Sequence, residues 1–151
     1  MTRWARGQAE VEDALAKRHL QKITGSAANG EPLLDKAART LESAAAVLSS
    51  DPDSAYVLAY DAARYSGTAL LAQQGLRPTT SGGHYVVETV LRAQFDSGFK
   101  VFGTMRRRRN ELEYPTVPGD GTGEGEAAAA VDDAGALLAA ARQILPLLGL
   151  Y

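Results

Sequence analysis

The chain has 151 residues, enough for one domain with a real core, and 45% of them are hydrophobic. Its formal net charge is −2, so the molecule as a whole offers nucleic acid no attraction, and any such binding must be local. It has no cysteine, which excludes disulfides, zinc–thiolate sites and a thiol nucleophile.

Alanine is abundant and β-branched runs are few, so the composition predicts helix throughout. Arg3, Arg6, Glu10 and Glu12 charge the first twelve residues, which argues against a leader peptide. No stretch reaches the roughly 18 apolar residues of a membrane span, so a cytoplasmic protein without membrane contact is expected. A first helix is expected over about Gln8 to Ile23, with Val11, Leu15, Leu20 and Ile23 on one side and His19 on the surface. Gly25 to Pro32 reads as a loop. A second helix, about Leu33 to Leu48, places Leu34, Ala38, Leu41, Ala45 and Leu48 on one face. Asp51-Pro52 then gives a carboxylate cap followed by proline at the first helical position. The third helix runs to about Gln74 and stops at Gly75. Its small residues mark it as central. Asp61 and Arg64 lie one turn apart on it as an ion pair, with Arg106 or Arg109 as a further partner for Asp61.

Leu76 to Gly83 reads as a break. A fourth helix starts near His84 and carries Val87, Val90, Leu91 and Phe95. Asp96-Ser97-Gly98 interrupts it before a continuation from Phe99 to Tyr114. Pro115 to Gly125 is a loop; its glycines lack the Gly-Lys-Ser/Thr ending of a phosphate-binding loop. A last helix covers about Glu126 to Leu145, and Pro146 ends it. No segment alternates as a strand. The expected fold is all-α, an antiparallel up-and-down bundle of about five helices.

The densest chemistry is Met105-Arg106-Arg107-Arg108-Arg109-Asn110-Glu111-Leu112-Glu113-Tyr114-Pro115. Successive helical residues turn by about 100°, so four adjacent arginines cannot form one patch. Val101, Phe102, Met105 and Leu112 make the apolar face. Arg109 lies at its edge, Arg106, Asn110 and Glu113 lie next to it, and Arg107 and Glu111 point furthest away. One strip thus carries guanidinium, amide, carboxylate and phenol. It reads either as a phosphate-binding groove or as a solvated helix end whose arginines suit the helix dipole. His84, at a helix start, reads either as a hydrogen-bonded residue between helices or as a contributor to that groove. Two lone histidines make no metal site, and no cofactor is expected.

Three segments together resemble the HEPN (higher eukaryote and prokaryote nucleotide-binding) family. They are Ala-Tyr-x-Leu-Ala-Tyr-Asp-Ala-Ala-Arg at 55–64, Gly-Leu-Arg-Pro-Thr at 75–79 with Gly-Gly-His at 82–84, and Arg-Arg-Arg-Arg-Asn-x-x-x-Tyr at 106–114. The resemblance covers 33–148 of a single domain, with 1–32 as an extra N-terminal helix and loop. It implies a homodimer whose two copies of an arginine-plus-histidine motif meet at a cleft. Many such proteins are metal-independent endoribonucleases of toxin or defence type.

Carried over, Arg109 and Asn110 match the start of the motif, and Tyr114 stands where the family places histidine. That histidine serves as acid or base while a 2′-hydroxyl attacks the adjacent phosphate. Tyrosine, with an ordinary pKa of about 10, is a poor base at neutral pH but can donate a proton. Glu113 is a possible base, weakened because Arg109 favours its charged form. The resemblance thus implies RNA or nucleotide binding through Arg106, Arg109, Asn110 and Tyr114, with weak cleavage. The alternative is an inactive interaction module acting with a protein partner, such as an antitoxin or a nucleotidyltransferase. A helical scaffold with an arginine-rich surface is the plainest reading.

Overall fold

Asp51-Pro52 opens the helix on which the others are laid. The structure, a computed structural model, describes residues 3–151. Among them the chain forms α1 (Gln8–Ala16), β1 (Leu20–Lys22), α2 (Glu31–Val47), α3 (Pro52–Gln73), β2 (Leu76–Pro78), α4 (Gly83–Phe95), α5 (Lys100–Glu113) and α6 (Glu124–Ile144). The protein is all-α apart from the two short strands. The Asp51 carboxylate accepts a hydrogen bond from Ser54 N at 3.2 Å, and Pro52 sits where a missing N–H costs nothing.

α3 buries Ala55, Ala59, Ala62, Ala63, Ala69, Ala72 and Gly67, and these small side chains let neighbouring helices approach closely. α2 runs antiparallel to it, with Gly30 at the start of α2 against Ala69 near the end of α3. α6 runs with α3. Thr122 N, just before α6, donates to Asp53 at 2.7 Å, and Leu145 beyond its end packs on Gly30. α5 runs against α3: Phe99 lies near Gly67, Phe102 on Tyr60, and Leu112 beside Ser54 and Val57. α4 advances in step with α3, pairing Tyr60 with His84, Gly67 with Leu91 and Gln74 with Gln94. The chain therefore does not reverse between α3 and α4. β2 carries it back first, a departure from a simple up-and-down order. A continuous core extends from Val11 on α1 to Leu148 beyond α6. No helix among the described residues is long and apolar enough to cross a membrane.

Two expectations need correction. The first helix does not reach Ile23. It stops at Ala16, because Arg18 takes a left-handed φ of 60° and His19 N folds back onto Ala14 O at 2.8 Å. Leu20–Lys22 then becomes a strand, antiparallel to Leu76–Pro78 in the segment read as a plain break. The pairing is tertiary and leaves no trace in local periodicity. Pro32 also belongs to α2 and not to the preceding loop, since it falls in the first turn, where proline is tolerated.

Candidate functional site

The four arginines have four separate environments. Arg106 Nε donates to Glu88 Oε2 on α4 at 2.9 Å. Arg107 is exposed and reaches only Thr104 Oγ1, at 3.4 Å. Arg108 pairs with Glu111 within α5 at 2.9 Å, and ties the helix to the following loop through Gly121 O at 3.1 Å and to α6 through Glu126 at 3.1 Å. Arg109 turns inward, with its guanidinium 5.9 Å from the centre of the Tyr60 ring. The 100° step between neighbours produces this division.

The buried ring of Tyr60 lies between α4 and α5. It stacks on Phe102 at 5.3 Å, and its hydroxyl meets His84 Nδ1 at 2.7 Å. Burial pushes the Tyr60 phenol up to about 12, against the pull of Arg64, Arg109 and Arg106. The phenol is thus protonated at any physiological pH, and its buried proton needs an acceptor. His84 Nδ1 is that acceptor, which leaves the neutral imidazole with its proton on Nε2. Burial first, then Arg64 and Arg109, hold the His84 pKa below 6.5, while Asp61 opposes them.

Asp61 and Arg64 pair within α3 as expected, but loosely, at 3.8 Å. Arg106 is taken by Glu88 instead of Asp61. The Nε atoms of Arg64 and Arg109 are both buried and lack a hydrogen-bond partner among the described residues. Arg109 Nη1 donates to Asn110 Oδ1 at 3.2 Å. The fold thus gathers Asp61, Arg64, His84, Arg106 and Arg109 around Tyr60. It leaves two other expected site residues apart. Tyr114 caps the end of α5 and is 76% exposed. Glu113 lines an open cleft with Asp53, Ser54 and Leu58, on the N-terminal side of Asp61 along α3. His19 is half-buried in the turn between α1 and β1.

Tyr60 and Glu88 are the residues that sequence reasoning missed. Tyr60 is one turn before Arg64 on a helix already marked as central, a spacing that could have singled it out. Glu88 stood out as a lone carboxylate among Val86, Val87, Val90 and Leu91. It is 5% exposed, and Gly103 on α5 makes room for it: a Cβ there would come 2.7 Å from Glu88 Cδ. Its second cation is Arg92, at 3.6 Å. Among the described residues no group of three or more His, Asp or Glu is arranged to hold a metal ion.

Chemically, the cluster combines a neutral imidazole, a phenol locked in its protonated form, and two guanidinium groups with unused N–H donors. Such an arrangement favours an oxyanion that accepts several charge-assisted hydrogen bonds. No family model matches the chain, and neither the curated proteins nor the solved structures give a match.

Proposed function

We propose that this chain is a HEPN-like protein that binds RNA or a nucleotide through phosphate contacts of Arg64 and Arg109, with His84 beside them. The observation that carries this reading is the pair of buried, unpartnered guanidinium Nε atoms flanking the Tyr60–His84 pair. Buried donors on charged groups are costly to leave unsatisfied, and phosphate oxygens are strong acceptors for such groups. Arg106 serves a different purpose. Bound to Glu88, it holds α5 against α4 and keeps the cationic edge in register. A cytoplasmic location is part of this proposal.

If the chain cleaves RNA, in the manner of toxin or defence ribonucleases, proton transfer falls to His84, the imidazole of the cluster. Tyr114 is too exposed to share that site within one chain. The same separation favours a second reading, a non-cleaving interaction module with Tyr114 available to a protein partner such as an antitoxin or a nucleotidyltransferase.

The test is RNA binding and RNA cleavage measured side by side, both in EDTA. Arg64→Ala and Arg109→Ala should each weaken binding about tenfold or more, the loss of one charge-assisted hydrogen bond of about 1.5–3 kcal/mol. Arg107→Ala should have little effect. Equal losses from all three would mean diffuse attraction and sink the site. Cleavage abolished by His84→Asn but kept by Tyr114→Phe would assign the chemistry to His84. Binding without cleavage would favour the interaction module.

A further inference from the structure

The connection between α3 and α4 carries chemistry of its own. It closes one side of an open cavity of about 450 Å³. Arg64 and Thr68 of α3, Arg77 and Thr80 of the connection, and His84 and Val87 of α4 line it. Among the described residues no Asp or Glu lines the cavity. Among the described residues no ion pair neutralises Arg77. Its partner across the ladder is Gln21, whose amide oxygen, turned towards it, accepts from Arg77 Nε at 2.7 Å. A neutral partner fixes the guanidinium and leaves its charge intact. Arg64, which also lines the cavity, has its buried Nε without a partner among the described residues and its carboxylate neighbour Asp61 only at 3.8 Å.

We propose that this cavity carries the phosphate site described above past the Arg109 edge to a neighbouring phosphate position, gripped by Arg77 together with Arg64 and His84 Nε2–H, which border both. The inference rests on the RNA or nucleotide reading above and extends it. His84 and Arg109 lie 5.6 and 5.9 Å from the Tyr60 ring, so the two phosphate positions share one wall. Two guanidinium groups and an N–H donor on one cavity are the donors that phosphate oxygens accept from. A diester within an RNA strand and the phosphate of a free mononucleotide present the same oxygens, and the experiment separates them.

The salt dependence of affinity is measured with a labelled single-stranded oligoribonucleotide, on wild type, Arg77→Gln, Arg77→Lys and Arg39→Gln. Thermal shifts with adenosine 5′-monophosphate and with inorganic phosphate are measured on the same proteins. Arg77→Gln should lower RNA affinity about tenfold and reduce the slope of log affinity against log salt by about 0.7, the value of one phosphate contact on a single strand. Arg77→Lys should retain most of both, and Arg39→Gln, at an exposed arginine of α2 outside the cavity, should match wild type. Where Arg77→Gln lowers the melting temperature, Thr80→Val at an exposed position of the same lining takes its place. A mononucleotide shift that depends on Arg77, in a protein that binds no RNA, keeps the subsite, assigns it to a free nucleotide and removes RNA as the ligand. If RNA binds with the same affinity and slope in wild type and Arg77→Gln, and neither small probe gives a shift that depends on Arg77, the subsite is overturned while the Arg109 reading stands.

Discussion

A neutral imidazole is what the surroundings of His84 demand. Burial disfavours its charged form, Arg64, Arg109 and Arg106 repel a further proton, and only Asp61 pulls the other way. Unfolding frees the ring to bind a proton at its ordinary value near 6.5, whereas the folded protein resists until a lower pH. Between those two values the unfolded state holds more protons, so stability falls as pH falls. The contribution is complete above about 6.5 and is lost as pH drops through the folded pKa. His84→Asn, neutral at every pH, should therefore flatten the decline in urea midpoint between about pH 7 and pH 5. An NMR titration of His84 should give a midpoint below 6.5; an ordinary or raised value would break this account of the cluster. At this scale the sequence was partly legible. Arg109, Asp61, Arg64 and His84 could be read as candidates from residue type and spacing. Tyr60, which holds them together, stood in the 55–64 segment with no role of its own.

Among the elements, the α4–α5 contact depends on a residue without a side chain. Gly103 lets the Glu88 carboxylate sit against α5, within reach of Arg106. Gly103→Ala has two opposed effects. It gains about 1 kcal/mol of helix propensity in α5. It also pushes the carboxylate off Arg106, leaving only the longer contact to Arg92, and breaking a buried pair costs about 3–5 kcal/mol. The second effect is larger, so a net loss of about 2–4 kcal/mol is expected in urea unfolding. Adding Glu88→Ala should remove most of the difference that alanine makes at Gly103, because the clash goes with the carboxylate. A Gly103→Ala protein as stable as wild type would show that the carboxylate has another place to go. Helix starts and stops were legible where local chemistry sets them, as at Asp51-Pro52 and Gly75. The β1–β2 pair was not, because Leu20 meets Pro78 only after the whole of α2 and α3 has folded between them.

The whole molecule presents its cationic cluster on one edge, where α3, α4 and α5 meet, flanked by exposed aromatics. Tyr85, next to His84, is 65% exposed and lies 5.8 Å from the Arg106 guanidinium, and Tyr114 stands at the end of α5. Exposed tyrosines beside arginines are the composition of a protein interface. A two-fold pairing through this edge would turn each open cluster into half of a shared groove and bring Tyr114 of one copy towards the cluster of the other. Pairing would also set like charges against each other, since Arg64 and Arg109 would face their own copies. A polyanion in the groove relieves that repulsion. The homodimer should therefore tighten when single-stranded RNA is added, and in its absence should tighten with salt, which screens the facing arginines. Sedimentation at micromolar concentration should give about twice 16.0 kDa. Tyr85→Glu should shift the mass towards monomer and weaken RNA binding in parallel. Loss of the dimer without loss of RNA affinity would mean that a single cluster suffices and that the groove is not shared. A dimer that loosens with salt would mean that pairing uses ion pairs on another face, and the cationic edge would then be free to meet its ligand alone.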